Sequence, residues 1–498
     1  MHHNRFSFCK FDQYRYFFMV KTKNKNYLYV DIAQNIEQQI LDGVLKMGDK
    51  LPSVRVLKQE YGVSISTILE AYYRLEGKNL VESRPRSGYY VIFCANSVPD
   101  CPTKTNPGNR AVLGNVTGMI IDFYEMIGDE NMINFSLGVP APELMPIAKM
   151  TKTIHETVVK LPAGGTYYDN IQGSLNLRRQ IAQRTILWGG AITEQDLIIT
   201  AGCTSALSLS LMAVTKSGDT IAVESPVYYG ILQLANTLGL RVLELPTDPA
   251  TGMDLDALQR ILREQRIAAI MVVSNFSNPL GSLMPNKHKQ KLVRIIQEYE
   301  IPLIEDDICG EIYYGRQRPS TCKYYDDSGL VMWVGSFSKT IGGGYRVGWV
   351  APGKFISNVM KLKLYLSSST STIPQEAIAN FLAKGRYDHH LRRLRETLHT
   401  NSIKYIGAIS NYFPEDTKVS KPKGSFLLWV ELNPKIDISV LFERAQAQHI
   451  SFTPGSIFTL QKQYSHCMRL CYGIVWSEKI DQGLKKLGEL AHEMLFDM

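Results

Sequence analysis

Residues 331–349 of this 498-residue chain read VMWVGSFSKTIGGGYRVGW. The apolar run at 331–334 is typical of a strand that is buried on both faces of a parallel sheet. Ser336, Ser338 and Lys339 follow this run at once. A lysine directly after a buried strand is partly removed from water, which lowers the pKa of its ammonium group and frees the amine as a nucleophile. The sequence therefore predicts an amine that can form a Schiff base.

Four further apolar runs precede this one, separated by stretches with helical character. They lie at 197–199, 220–223, 268–273 and 301–304. Strands that alternate with helices in this way indicate an α/β domain with a mostly parallel central sheet, which we place at residues 119–498, with a smaller α+β subdomain from about residue 385. In such sheets ligands bind beyond the carboxyl ends of the strands, so the polar residues that follow the runs become candidates for a site.

The candidates suit a phosphorylated pyridine ring. Asp306 follows the fourth run and could keep a pyridine nitrogen protonated. Arg346 and the Ser336 hydroxyl could bind a phosphate, together with the backbone amides of Cys203 and Thr204 at a helix start.

Each of these residues also has a simpler explanation. The ring of Tyr228 could stack on a ligand or lie in the core, Lys339 could be a surface residue, and Asp306 could cap a helix. The order of an Asn-Pro at 278–279, an acid, a Ser-x-Ser-Lys and an arginine, all at strand ends, is hard to obtain from packing alone.

The same motifs resemble those of the fold-type I aminotransferases that use pyridoxal 5'-phosphate. The resemblance covers most of residues 119–498 and is carried by TAGCTSALSL (200–209), ESPVYYG (224–230), NFSNPLG (275–281), IEDD (304–307), SFSKTIGGGYRVGW (336–349) and MRLCYG (468–473).

The resemblance implies a role for each matching residue. Lys339 would form the internal aldimine, Asp306 would pair with the pyridine nitrogen, and Asn278 would donate to the ring oxygen. Tyr228 would stack on the ring, and Arg469 would bind the substrate carboxylate in a bidentate pair. The residues implied at the phosphate end are Ser336, Arg346, Cys203 and Thr204, with Ser338 beside them in the cofactor site.

One position departs from the family pattern. The family usually has a tyrosine two or three residues after the aspartate, where this chain has Ile308 and Cys309. Loss of that phenol should weaken transamination more than it weakens cofactor binding. Cys467 and Cys471 flank Arg469, but their spacing and apolar setting favour packing, and no metal site is predicted.

Residues 27–94 follow a different pattern, that of short helices and a hairpin. Ile32, Ile36 and Ile40 form an apolar stripe on a first helix, and Ser64 is a good N-cap for a third. A turn with Arg84 and Arg86 then joins two strands. This arrangement predicts a winged helix-turn-helix, although three helices and a hairpin can also be a packing unit without a partner.

Residues 43–91, GVLKMGDKLPSVRVLKQEYGVSISTILEAYYRLEGKNLVESRPRSGYYV, resemble the GntR-type winged helix almost without a gap. The resemblance implies contacts with double-stranded operator DNA. The residues concerned lie on the second helix, on the third, recognition helix and on the wing: Arg55, Ser64, Ser66, Thr67, Arg84, Arg86 and Gly88.

Bulk charge does not identify the DNA-binding region. Residues 1–26, which we expect to be a basic disordered tail or sequence upstream of the true start, hold six Lys or Arg and one Asp, whereas residues 27–94 hold eight basic and eight acidic residues.

Residues 95–118 are rich in Pro, Ser, Thr and Asn and are expected to form a semi-flexible linker. No apolar stretch is long enough for a membrane span, and the sparse cysteines, none in a CxxC, fit a reducing cytoplasm.

A GntR-type winged helix fused to an aminotransferase-like domain resembles the MocR regulators. The resemblance implies a homodimer that binds an operator and senses an amine or amino acid by external aldimine formation. Two alternatives remain open: a genuine aminotransferase with an appended winged helix, and a repressor whose large domain has lost the cofactor. The intact Lys339, Asp306 and Arg346 argue against the second, and Cys309 argues modestly against the first.

Overall fold

A computed structural model describes residues 28–78, 80–84, 87–92, 99–114, 132–315 and 317–496. The chain divides into two compact units, residues 1–96 and residues 97–498. Among the described residues, no helix is both long and apolar enough to cross a membrane. Each unit is described by itself.

The small unit is the winged helix-turn-helix that the sequence predicts. Its elements are α1 (Leu28–Leu41), α2 (Val54–Tyr61), α3 (Ile65–Gly77), β1 (Val81–Arg84) and β2 (Gly88–Val91). The predicted isoleucine stripe of α1 is buried. Ser53 caps α2 and Ser64 caps α3, each by accepting a backbone N–H, and Gly62 ends α2 with a φ of 63°. These caps satisfy helix-end groups and fix the turn between the two helices.

The large unit contains a seven-stranded sheet among its described residues. In chain order the strands are β4 (Ile198–Thr200), β5 (Thr220–Glu224), β6 (Arg241–Leu245), β9 (Ala269–Val272), β10 (Leu303–Asp306), β11 (Val331–Ser336) and β12 (Gly348–Ala351), and a small antiparallel pair, β7 (Thr247–Asp248) and β8 (Gly252–Met253), lies between β6 and β9. The strand order is β4-β12-β11-β10-β9-β5-β6, in which β12 alone runs antiparallel to its neighbours. All five predicted apolar runs contribute to strands of this sheet.

Helices and a second sheet complete the unit. The helices are α4 (Ile147–Val158), α5 (Leu175–Arg184), α6 (Cys203–Val214), α7 (Tyr229–Thr237), α8 (Leu255–Glu264), α9 (Asn286–Glu298), α10 (Ile356–Ser367), α11 (Thr372–Ala383), α12 (Arg386–Tyr412), α13 (Ile438–Gln446) and α14 (Glu478–Phe496). The second, antiparallel sheet has the order β13-β14-β17-β16, formed by β13 (Lys418–Val419), β14 (Leu427–Glu431), β16 (Thr453–Pro454) and β17 (Cys467–Cys471).

The second sheet belongs to a core that begins earlier in the chain than the predicted boundary near residue 385. The short strand β3 (Ile133–Asn134) pairs in parallel with β15 (Ile450–Ser451), and Phe135 is buried in the same hydrophobic cluster as Leu428 and Leu470. Pairing between residues so far apart in sequence cannot be read from local periodicity.

Residues 99–114 differ from the expected semi-flexible linker. Val112 pairs with Val242 of the main sheet, the N–H of Thr103 donates to Glu431, and the N–H of Gly108 donates to Gln461. Residues 95–98 and 115–118 of the predicted linker lie outside the described residues. The composition of this segment predicts that it is not helical. It does not reveal that its backbone N–H groups form hydrogen bonds with residues of the large unit that are distant in sequence.

Candidate functional site

Lys339 lies three residues beyond the end of β11. Its amine donates a hydrogen bond of 2.6 Å to the carbonyl of Gly138. Burial lowers the pKa of this amine, and the charge of Arg469 also lowers it, whereas Cys309, Cys203 and Asp306 raise it. The lowered pKa that the sequence predicts is therefore reproduced, for the predicted reason of lost hydration.

Asp306 is the last residue of β10 and is buried. Its Oδ1 accepts the N–H of Ile308 at 3.0 Å and the thiol of Cys203 at 3.5 Å. Burial raises the pKa of the carboxyl group to about 6. At neutral pH the group remains mostly ionised, so it can pair with a protonated ring nitrogen.

The thiol of Cys309 stands where the aminotransferase pattern has a phenol. Ser425 donates to it at 3.5 Å, and burial raises its pKa to about 11. The nearby phenol of Tyr314 donates to the carbonyl of Ser425 at 2.6 Å, and its hydroxyl lies 3.0 Å from that of Tyr472. The phenol of Tyr314 is thus bonded to Ser425 and Tyr472, two residues that flank strands of the second sheet.

The start of α6 and the loop after β11 have the features of a phosphate site. Gly202 precedes α6 with a φ of 94°, and a Cβ placed there would lie 2.8 Å from Nη2 of Arg346. Arg346 itself adopts a left-handed φ of 52° and donates to the carbonyl of Ala201 at 2.9 Å. Glycine is therefore required at 202 to bring a guanidinium group against a helix N-terminus, which together attract an anion.

Hydroxyl groups border the same place. The hydroxyls of Ser336 and Ser338 lie 2.8 Å apart, and Ser336 also donates to the carbonyl of Val347. Thr204 is exposed at the start of α6. The sequence predicts a role for the backbone amide of Cys203 alone. In the structure its thiol also donates to Asp306. A single residue thus links the start of α6 to the carboxylate of Asp306.

Arg469 lies in β17 and is buried. Its Nη1 donates to Oδ1 of Asn278 at 3.1 Å, and Nη2 donates to Thr453 Oγ1 at 2.9 Å and to the carbonyl of Ser136. The guanidinium carbon stands 5.3 Å from the centre of the Phe458 ring. The structure thus brings two predicted residues, Arg469 and Asn278, into direct contact.

Tyr228 immediately precedes α7, and its ring centre lies 4.7 Å from that of Tyr229. Gly230 makes room for this ring, since a Cβ there would collide with Cε1 of Tyr228. Its stacking role remains a prediction.

Sequence reasoning missed the residues that complete the wall around Lys339 and Arg469. They are Ser136, Gly138, Thr453 and Phe458. None follows a strand of the main sheet, so the rule that locates ligands at strand ends gives no signal for them.

The predicted DNA-binding residues form two groups. At the start of α3, the hydroxyl of the exposed N-cap residue Ser64 lies 2.7 Å from that of Ser66 and 2.8 Å from that of Thr67. Arg55 is exposed on α2. Because Ser64 also accepts the N–H of Thr67, its side chain caps α3 as well as lying at the predicted DNA-facing end of the helix.

On the wing, Arg84 pairs with Glu82 at 2.7 Å, and its guanidinium carbon stands 4.3 Å from the centre of the Tyr90 ring. Gly88 has a φ of 115°, a conformation that favours glycine. Arg86 lies outside the described residues. Lys50, which sequence reasoning did not select, lies beside this wing, with its Nζ 5.8 Å from the centre of the Tyr90 ring.

Cys467 and Cys471 are buried on β17. Within the described parts of the chain, no group of three His, Cys, Asp or Glu side chains is placed to hold a metal ion.

Two family models match the chain. Residues 130–487 match the model "Aminotransferase class I and II", and residues 28–91 match "Bacterial regulatory proteins, gntR family". The chain belongs to the MocR-type transcription regulators. This MocR-type regulator is 37% identical to the uncharacterized HTH-type transcriptional regulator YjiR of Escherichia coli (strain K12), over 94% of this chain and 99% of the relative.

Solved structures similar to this MocR-type regulator are aminotransferases. The multiple substrate aminotransferase of Thermococcus profundus has a TM-score of 0.72 and 26% identity, covering 77% of this chain and 97% of that one. LysN, the alpha-aminoadipate aminotransferase of Thermus thermophilus, crystallised with N-(5'-phosphopyridoxyl)-L-leucine, has a TM-score of 0.70 and 26% identity, covering 76% and 95%. The regulator therefore has a large unit of the fold-type I aminotransferase class.

Proposed function

We propose that this transcription regulator binds pyridoxal 5'-phosphate in its large unit, recognises an amino acid or related amine there, and changes its affinity for operator DNA in response. The proposal is carried by one observation. The carboxylate of Asp306 in β10 and the guanidinium group of Arg469 in β17 both act electrostatically on the amine of Lys339, which is held by a hydrogen bond to the carbonyl of Gly138.

The donor set fits the cofactor. Arg346, the N-terminus of α6 behind Gly202 and the serine hydroxyls suit its phosphate, and Asp306 suits its ring nitrogen. Pyridoxal phosphate supplies an aldehyde that bonds covalently to primary amines and a ring that withdraws electrons. Asn278 turns its amide oxygen to Arg469, which leaves its amide nitrogen to donate to the ring oxygen.

The chain's own residues would select the effector. Lys339, with its lowered pKa, can give up its proton to neighbouring groups more readily than an exposed lysine. Arg469 is held in place by Asn278, Thr453 and Ser136, and its planar group suits a carboxylate. The effector class is therefore a primary amine, with preference for one that carries a carboxylate.

Occupancy of this site regulates DNA binding if the effector binds two arrangements of the protein unequally. The small unit supplies the DNA contacts through α3, Arg55 and the wing, as the gntR family match supports. We propose a homodimer, since two recognition helices read two half-sites and the large unit exposes an apolar patch.

That patch, here called the Tyr365 patch, consists of Tyr167, Tyr168, Leu364, Tyr365 and Leu366. Tyr168 is 91% and Tyr365 78% exposed. Lys363 of α10 donates to the carbonyl of Ile171, which joins the two parts of the patch. A second copy of this chain would remove these rings from water.

The cofactor proposal is tested by reconstitution. The purified protein is incubated with pyridoxal phosphate and desalted, and a visible absorption band should remain with the protein. Lys339→Ala should lose the band, whereas Lys361→Ala, which removes an exposed lysine of α10, should keep it. A wild-type protein that stays colourless would contradict the proposal.

Effector recognition is tested on the loaded protein. Titration with amino acids and with amines should change the visible spectrum, and the effective compounds should alter retardation of operator fragments. Sustained formation of keto acid at enzyme-like rates would instead favour a genuine aminotransferase. The presence of Lys339 and Asp306 supports that alternative, whereas the thiol of Cys309 in place of a phenol argues against it.

A further inference from the structure

A buried polar cluster lies next to Phe458, whose ring faces Arg469, and contains none of the predicted site residues. We call it the Glu244 cluster; its members are Ser225, Glu244, Thr247, Thr459 and Tyr464. Glu244, in β6, accepts the hydroxyls of Ser225 and Thr459 and the N–H of Leu460 at 2.7 Å. The hydroxyls of Ser225 and Tyr464 lie 2.8 Å apart. A fully bonded cluster of this kind holds its members rigidly.

The Glu244 cluster fixes two parts of the site wall. Thr459 follows Phe458, whose ring faces the guanidinium group of Arg469. Ser225 lies three residues before Tyr228, and the N–H of Val227 donates to the carbonyl of Phe458 at 2.9 Å. The two stretches are therefore bonded to each other as well as to Glu244. Any shift of the cluster would move the ring under Arg469 and the ring of Tyr228.

Thr105 connects this cluster to the segment 99–114. Its N–H donates to the carbonyl of Thr247 at 3.1 Å, and its hydroxyl accepts the N–H of Thr247 at 2.8 Å. The same hydroxyl donates to the carbonyl of Ser225 at 2.7 Å. Thr105 is buried. In sequence, only residues 93–98 separate segment 99–114 from residue 92, the last described residue of the DNA-binding unit.

We propose that Thr105 is a positioning residue for the effector-carboxylate site, and that segment 99–114 thereby transmits the occupancy of that site toward the DNA-binding unit. This inference rests on the proposed function and adds its route of regulation. Without the hydroxyl, buried backbone groups of Ser225 and Thr247 lose a partner, which is costly enough to shift them. By linkage, a ligand that tightens the wall around Arg469 also tightens the hold on Thr105.

Hydrogen–deuterium exchange of the full-length protein tests the positioning role without any effector. Thr105→Val should speed exchange in peptides covering 225–230 and 455–461, and Thr105→Ser, which keeps the hydroxyl, should not. The matched control is Thr103→Val, which removes a hydroxyl of the same segment that bonds Glu431 instead. The control should leave those two peptides unchanged. Equal exchange in Thr105→Val and the wild type would overturn the proposal.

A second measurement tests the link to the carboxylate. The loaded protein is titrated spectroscopically with the common L-amino acids, and the tightest is compared with the amine that lacks its carboxylate. Thr105→Val should weaken binding of the amino acid by about fivefold, the loss expected for one buried hydrogen bond, and leave the amine within about twofold. Equal weakening of both compounds would show general damage and contradict a role at Arg469.

Transmission is tested by exchange in the peptide covering 99–112. The tightest amino acid should slow exchange there in the wild type and in Thr103→Val but not in Thr105→Val. An unaffected segment in the wild type would refute transmission. Failure of the proposed function can be told apart from failure of this inference. If the protein does not bind the cofactor, the visible band is absent after reconstitution, whatever the exchange experiment shows.

Discussion

The thiol of Cys203 donates to Oδ1 of Asp306 across 3.5 Å and joins the first turn of α6 to the end of β10. Together with the N–H of Ile308 it fixes one carboxylate oxygen. The described part of the chain provides no hydrogen bond to Oδ2, so this oxygen is the one that can meet a ring nitrogen. The cysteine therefore orients the carboxylate in addition to starting the helix.

We expect Cys203→Ala to weaken retention of pyridoxal phosphate by about fivefold, since one of the two donors to Asp306 is lost. Cys203→Ser keeps a donor and should stay within about twofold of the wild type. The measurement is the dissociation constant for the cofactor, obtained from the visible absorbance. Equal losses in both variants would assign Cys203 a packing role.

Asp306→Asn should stabilise the cofactor-free protein at pH 7.5. The folded-state pKa of about 6 lies above the ordinary 3.8, so the native state binds the proton more tightly than the unfolded state. The stabilisation that Asp306 provides by binding this proton is fully present below pH 3.8 and is lost as the pH rises through about 6. Asparagine carries no charge to bury, so the free energy of unfolding at pH 7.5 should rise by about 2 to 3 kcal/mol.

Thermal melting of both proteins without cofactor checks this expectation. The melting temperature of Asp306→Asn should exceed that of the wild type at pH 7.5, and the gap should shrink toward pH 4. A gap that grows on acidification would have the wrong sign and would contradict the raised pKa.

Arg55→Ala should weaken binding to duplex DNA and reduce the slope of log affinity against log salt concentration by about 1, because one phosphate contact is removed. The visible cofactor spectrum should not change. Lys287→Ala, which removes an exposed lysine of the large unit, serves as the control and should leave the slope intact. An unaltered salt dependence in Arg55→Ala would remove this residue from the interface.

Tyr365→Glu should dissociate the proposed homodimer, because it places a charge within the Tyr365 patch, where burial of a charge without a partner is costly. Sedimentation velocity at micromolar concentration measures the change. Ile186→Glu, at an apolar residue that is 73% exposed outside the patch, should not alter the oligomeric state. A wild type that sediments as a monomer would refute the dimer.

The buried ion pair between Glu37 of α1 and Lys78, at the end of α3, should hold the small unit together. Nζ of Lys78 lies 2.7 and 2.9 Å from the two carboxylate oxygens, and both side chains are buried. Lys78→Met removes the cation that bonds both carboxylate oxygens of the buried Glu37 and should lower the free energy of unfolding by about 3 kcal/mol. Loss of DNA binding with the cofactor spectrum intact would be the signature, and the double variant Glu37→Gln, Lys78→Met should recover part of the loss.

The sequence by itself determined the two folds and the residues that end their strands. Local signals suffice for these: the isoleucine stripe of α1, the Ser64 cap, and the apolar run that precedes Lys339 all depend on neighbours within a few positions. The resemblance of the motifs to those of the fold-type I aminotransferases also implied that Asp306, Arg346 and Arg469 belong to one site. Periodicity and caps are properties of contiguous residues, so they can be read directly.

Only the tertiary structure decided what surrounds those residues. The carbonyl of Gly138 against Lys339, the thiol of Cys203 on Asp306, and the bonds of Thr105 join positions between about one hundred and two hundred residues apart. Such contacts depend on how sheets and segments pack, which leaves no local pattern in the chain. For this reason a stretch whose composition predicts a loose linker proves to be bonded into the wall of the site.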